Sequence, residues 1–228
     1  MHSTDIIAHL WTWTPFLLEG FGWNILIATM AAAMGTAVGA CLVWMQLKGS
    51  QFAQRASAFL SNIFYKIPTL ALMFYCAVLL PNEFQLPWSE QTYLFPNWVK
   101  AALALSAAQV GFTAQNLGPS LKYWGQGQHG AALLFIPNWG SNLLITIIAS
   151  SSASLVGVSE IVSRCNKVIA ATDNTALMVP MYLYASLFFL LFCFPLTLAM
   201  KKFKHVLLQR MNVQKSATVL PDQATQQD

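Results

Sequence analysis

Charge is what this sequence has least of. Only 9% of its 228 residues are Asp, Glu, Lys or Arg, while 56% are hydrophobic. A soluble domain carries about 25% charged residues. The deficit excludes an ordinary water-facing surface and leaves one that faces lipid. Cysteine is also scarce. Cys41, Cys76, Cys165 and Cys193 are scattered, three of them in apolar runs where a free thiol behaves as a small hydrophobe. No CxxC or Cys/His spacing points to a metal or to a disulfide framework. There is no GxxxxGK[ST] phosphate-binding loop, so nothing here would hydrolyse ATP. No Ser–His, His–Glu or paired-carboxylate arrangement falls inside an apolar run, which leaves an intramembrane enzyme without support. His2 and His9 are N-terminal, His129 sits in a polar loop and reads as a surface residue, and His205 lies in the tail. The net charge of +4 comes from flanking residues rather than from one basic face, so no nucleic-acid partner is implied. Residues 1–19 lack the basic start and clean apolar core of a cleavable signal peptide.

What is present is a series of apolar stretches long enough to cross hydrocarbon, which takes about 20 residues. The expected fold is an all-α integral membrane protein with about five spans: Phe21–Met45, Ala58–Leu80, about Val99–Leu117, Asn142–Val158 and Ala176–Met200. Residues 1–20, with Trp11 and Trp13, form an expected interfacial segment. Residues 21–202 form the membrane domain, and 203–228 a basic, then polar tail, disordered at its end. Gly35, Gly39 and Ala40 share closely related faces of the first span and predict tight packing on a neighbouring helix. A wet, proline-containing loop, PNEFQLPWSEQTYLFPNW, follows the second span. Lysine and arginine set the orientation. Lys48, Arg55, Lys122, Lys201, Lys202, Lys204 and Arg210 fall on one side if there are five spans, which places the N-terminus out and the C-terminus in. Arg164 and Lys167 fall on the other side as mild exceptions.

Polar groups inside the spans are the next signal. Lys66 either faces a wet interior or snorkels to the interface. Pro68 removes a helix hydrogen bond and predicts a kink beside it, which either lines a pathway or simply packs. Gln109, Gln115 and Asn116 give the third span a polar side that bonds across helices or marks its end. Ser150, Ser151, Ser152 and Ser154 cover most of one turn, so some face inward whatever the rotation. They either line a polar path or let helices approach closely. Glu160 follows them, at an outer mouth or as an interfacial acid.

These residues carry a resemblance. LLEGFGWNILIAT is similar to the opening helix of the permease subunits of polar amino-acid ABC importers, the histidine, arginine and glutamine uptake type. IFYKIPTLALMF resembles their arginine–glycine–threonine–proline signature, with Lys66 at or beside the basic position and Pro68 retained. AQNLGPSLKYWGQGQHGAA resembles the approach to their cytoplasmic EAA loop, with Gly127, Gln128, Ala131 and Ala132 in matching places. SSSASLVGVSEI is similar to their threonine–serine–leucine stretch and its glycine–valine–x–glutamate. The resemblance runs from about Leu18 to Lys202. The departures matter too. The family has glutamates where Gly130 and Gln115 stand and an arginine near Gly118. It has a lysine–aspartate pair where Ile148 and Ala149 stand. A block of about twenty residues after the EAA loop, a short helix with its turns, is missing. In the family that block is the coupling helix, which docks on the ATPase.

The resemblance implies a bacterial inner-membrane permease subunit for polar amino acids or similar small solutes. Its implied partners are a second permease subunit, a separate ATP-binding subunit and an extracytoplasmic solute-binding protein, with no cofactor. Two defective loops would leave the ATPases no lever, so a heterodimer is expected over a homodimer. Lys66, Pro68, Thr69, Gln115, Ser150, Ser151, Ser154 and Glu160 are the expected path residues, and Gly127, Gln128, Gly130, Ala131 and Ala132 the remnant of the coupling loop. The shortened loop leaves a second expectation open: a non-transporting receptor, regulatory or assembly subunit that has lost ATPase coupling.

Overall fold

The computed structural model describes residues 3–85 and 91–224, with side chains from Leu10 to Met211 apart from Phe84 and 86–90. Eight helices make up most of it: α1 (Ser3–Lys48), α2 (Gln51–Lys66), α3 (Thr69–Leu79), α4 (Asn97–Gly125), α5 (His129–Leu133), α6 (Phe135–Ala149), α7 (Ile161–Thr172) and α8 (Met178–Ala224). A 3-10 segment, Ser150–Val156, continues α6, and another, Thr175–Leu177, precedes α8. Between α3 and α4, β1 (Glu83–Gln85) pairs antiparallel with β2 (Thr92–Leu94), with Glu83 opposite Leu94. The last residues of the tail, expected to be disordered, lie outside the described residues.

Three helical stretches among the described residues are long and apolar enough to cross a membrane: Leu10–Lys48, His129–Val156 and Thr175–Met211. A fourth candidate is the pair α2–α3, bent by 96°. The bend falls where expected. Ile67 and Pro68 leave the helix for extended backbone, because a proline nitrogen donates nothing and its ring disfavours a helical residue before it. α4 has the length, 29 residues, but is enclosed by other helices, and its inward positions include Lys100, Ser106, Gln109 and Thr113. A helix shielded by protein needs no apolar face for lipid.

The helices are built polar-in and apolar-out in places. α2 buries Ser57 and Ser61 while Phe52 and Phe59 are 83% and 67% exposed. That is the reverse of a water-soluble amphipathic helix. Ser61 accepts from Gln46 Nε2 at 2.9 Å and donates to the Ser57 carbonyl, so the inward face is satisfied by α1 and by itself.

Small residues set the closest approaches. A Cβ on Gly35 would stand 2.6 Å from the Ser106 carbonyl oxygen, and one on Gly39 2.9 Å from that of Val110. The glycine pair expected to pack tightly therefore seats α1 on α4, in the small-xxx-small manner of membrane helices. Gly111 faces the other way, and its Cβ would lie 2.4 Å from the Tyr65 backbone nitrogen of α2. One apolar core gathers Ile27 and Ala31 of α1, Met73 of α3, Ala101 and Leu105 of α4, and Ala153 and Val156. A second joins Leu17 and Phe21 to Ile161 and Cys165 of α7 and Met181 of α8. There Phe21 meets Phe189 edge to face at 5.1 Å between centroids.

Among the helices whose bounds exceed the expected spans, two have a clear packing cause. α1 begins at Ser3 rather than near Phe21, because Leu10, Trp13 and Phe16 pack against the second core. α4 continues past Leu117, through Pro119, to Gly125. Gly118 is buried near Val43 of α1, and this packing carries the helix through a stretch whose composition reads as loop.

Candidate functional site

The best-built polar site lies where α6 ends and α7 begins. Gly157, with φ +84°, stops the 3-10 segment in the left-handed region that glycine tolerates. A Cβ there would also stand 2.9 Å from Asn97 Nδ2. The chain turns back and places Glu160 at the N-cap of α7, where its carboxylate accepts from the Ser163 nitrogen at 2.8 Å and the Val162 nitrogen at 3.0 Å. A carboxylate suits that place because it meets free N–H groups and the positive end of the helix dipole.

Glu160 is fully buried, so it needs further partners. Asn24 of α1 supplies them. Its Nδ2 donates to Glu160 Oε2 at 3.1 Å and to Ser150 Oγ at 3.0 Å, while its Oδ1 accepts from the Ile161 nitrogen at 3.2 Å. Asn24 and Ser150 are themselves buried completely. One asparagine thus ties three chain segments together. Burial pushes the Glu160 carboxyl above its ordinary value, and the Val162, Ser163 and Asn24 donors offset part of that rise. The neighbouring Cys165 thiol, buried and beside Glu160, is pushed up to about 12.

A second polar anchor stands beside the first. Arg164 is 5% exposed, and its Nη1 and Nη2 each reach a Glu19 carboxylate oxygen at 2.7 Å. Nη1 also donates to the Phe16 carbonyl, and Nε to the Ser159 carbonyl. The guanidinium lies 4.5 Å from the Phe16 ring. The planar fork explains why arginine, exceptional by the charge rule, is held at this end. Lys100 of α4 is also buried and donates to the Leu80 carbonyl and to Asn82 Oδ1, both at 2.8 Å.

A polar seam continues inward from Ser150. Asn142, Thr146 and Ser150 recur every four residues and share one face of α6 and its extension. Asn142 Nδ2 donates to Gln109 Oε1 of α4. Gln109 Nε2 and Thr113 Oγ1 are buried without a partner among the described residues. At the far end Trp139 Nε1 donates to Thr36 of α1 at 2.8 Å.

The structure brings together only part of the expected path set. Ser150 and Glu160 meet through Asn24. Ser151 and Ser154 turn their hydroxyls to the Ile148 and Ser151 carbonyls of their own helix. Lys66 and Pro68 are exposed at the α2–α3 bend with Thr69 half-buried beside them, and Gln115 is exposed on α4. Of the loop remnant, Gly127 takes φ +76° and Gln128 precedes the single turn of α5. Gly130 faces Met211 of α8, Ala131 is half-buried and Ala132 is buried. Asn24, Glu19, Lys100 and Asn142 were absent from the expected set. A lone asparagine in an apolar run was the available signal for Asn24.

No family model and no curated protein matches the sequence. The shape does have a solved counterpart. A crystal structure of an amino acid ABC transporter with histidines superposes on it with a TM-score of 0.70 at 11% identity, covering 87% of this chain and 97% of that one. What the two share is the fold. The chain is thus a helical, membrane-type protein with the fold of a chain of an ABC transporter.

Proposed function

We propose that this chain is a membrane permease subunit of an ATP-driven importer for polar amino acids or similar small solutes. The observation that carries the reading is the fold likeness to an amino acid ABC transporter over 87% of the chain. The four motifs in matching order support it, and so does the buried Glu160 in the glycine–valine–x–glutamate position.

In this reading α1, the bent pair α2–α3, α4, α6 with its 3-10 extension, and α8 are the five spans. The N-terminus is outside and the C-terminus inside a bacterial inner membrane. Solute passes between two permease chains rather than through one, since the inward polar groups of a single bundle are mostly bonded to each other. Lys66, Pro68, Thr69 and Gln115, exposed or half-exposed on the single chain, are free to face a path or partner. ATP hydrolysis belongs to a separate subunit, and a solute-binding protein delivers from the outer side. The test is purification of the tagged full-length chain from its native membrane. An ATPase subunit and a second permease with an intact EAA loop are the expected companions. Their absence, with no uptake defect in a deletion strain, would remove the importer reading.

One observation favours a second reading. The connection between α4 and α6 holds only a five-residue helix, α5, packed on α8 through Gly130 and Met211. A helix that short offers little for an ATPase to grip, which fits a subunit kept for assembly or regulation. Uptake assays with Lys66→Glu and Gln115→Leu, both outside the groove between α6 and α8, separate the readings. Both substitutions impair uptake if the residues line a path, and neither does if the chain only supports its partner.

A further inference from the structure

A groove of about 560 Å³ runs along the outside of the bundle between α6 and α8, bounded by Ile148 and Ser151 on one side and Ser186 to Lys201 on the other. Its floor is apolar: Phe189, Leu190, Cys193 and Phe194. Its three hydroxyls offer nothing to a ligand as donors, because each is turned to its own helix. Ser151 donates to the Ile148 carbonyl, Ser186 to the Leu183 carbonyl and Thr197 to the Cys193 carbonyl. The groove is therefore hydrocarbon-walled with one charge, Lys201, at its end.

That charge is unopposed. No acidic residue occurs between Glu90 and Glu160 or between Asp173 and Asp222, so α4, α5 and α6 have none and α8 has none before Asp222. Lys202 and Lys204 follow Lys201, and Lys204 leans on Asn138 Oδ1 at 3.3 Å. The groove follows α8 over fifteen residues, a rise of roughly 22 Å, longer than half of the ~30 Å hydrocarbon thickness. α8 itself is one of the membrane-length helices.

We propose that this groove binds one acidic phospholipid, with an acyl chain along Phe189, Leu190, Cys193 and Phe194 and the phosphate on Lys201. Charge complementarity selects the occupant. A second copy of this chain would bring only more lysine to that end, and a zwitterionic lipid would leave the unopposed cluster uncompensated. The site does not depend on transport activity and stands whether or not the importer reading holds.

The experiment is thermal unfolding of the delipidated full-length chain, with whatever subunits remain attached, titrated with phosphatidylglycerol or phosphatidylcholine. Phosphatidylglycerol raises the midpoint and phosphatidylcholine does not. Lys201→Gln weakens the apparent phosphatidylglycerol affinity by about fivefold, the effect of one lysine at a membrane surface. Leu190→Trp, which fills the groove, abolishes the response. Lys122→Gln, at the same end but outside the groove, leaves it unchanged. Equal effects of the two lipids, or a Lys201→Gln titration like wild type, would overturn the proposal. So would efficient disulfide cross-linking of Leu198→Cys between copies in native membranes, which would make the groove a protein interface.

Discussion

Glu160 is held by three nitrogen donors in a place with no access to water, and two consequences follow at the scale of the residue. Glu160→Ala leaves the Asn24, Val162 and Ser163 donors without their acceptor and should destabilise the chain by roughly 2 kcal/mol, read as a lower unfolding midpoint in detergent. The pH dependence has a definite sign. Burial raises the carboxyl from its ordinary 4.5, so the folded state holds the proton more tightly than the unfolded one. The stability this contributes is complete below the ordinary value and is lost as pH rises through the raised one. Wild type should therefore lose stability relative to Glu160→Gln as pH climbs through that window, and parallel melting curves of the two would refute it. Arg164→Lys tests the second anchor. A lysine cannot grip both Glu19 oxygens and the Phe16 carbonyl together, and a loss of about 1–2 kcal/mol is expected. Sequence alone led to Glu160 through its motif but missed its partners. Asn24 lies 136 residues away and Glu19 lies 145 from Arg164, and no local periodicity records a contact at such separations.

Elements were more legible than contacts. Apolar runs of span length exist physically as helices, and Pro68 breaks the second because its chemistry permits little else. Gly35 and Gly39 were readable as a packing face, since only small residues let backbones meet. The end of α4 was not readable. Gly118 and Pro119 look like loop, yet packing against α1 carries the helix to Gly125. Nor was the enclosure of α4 visible, because Lys100 looks like an interfacial flank until the Leu80 carbonyl and Asn82 are seen to receive it. The glycines give a paired test at this scale. Gly111→Val would drive side-chain atoms into the Tyr65 backbone of α2, which cannot yield as a side chain does, and should cost more than about 2 kcal/mol or prevent accumulation. Gly22→Ala meets nothing within 4 Å and should stay within about 0.5 kcal/mol of wild type.

At the scale of the whole molecule the charges are sorted. Lys48, Arg55, Lys122 and the lysines of α8 are grouped by the positive-inside rule, while the Glu19–Arg164 pair and Glu160 cluster where α1, α7 and α8 meet. If that sorting sets orientation, single cysteines at Gly127 and Glu83 in a cysteine-free background should label from opposite sides. Gly127→Cys should react only once the cytoplasmic face is opened, and Glu83→Cys in intact cells. Reaction of both from the same side would refute the five-span arrangement, and reaction from opposite but exchanged sides would reverse its orientation. The fold class was legible from composition, because a chain so poor in charge has few places to be. Substrate and partners were not, because no local pattern in a sequence records which surface a solute or another chain would meet.

The length of α1 has a mechanical meaning. From Phe16 to Lys48 it contains no proline, and that stretch is fastened near both its ends, by Glu19 to Arg164 and by Gln46 to Ser61. Its backbone meets that of α4 with no room for a side chain at Gly35 and Gly39, and that contact serves as a fulcrum. At 1.5 Å per residue the arm toward Glu19 is roughly 27 Å long and the arm toward Gln46 roughly 13 Å. A rod so mounted is an unequal lever. A small shift of α2 at its short arm would be returned about twofold, and in the opposite sense, at Glu19, which holds Arg164 of α7.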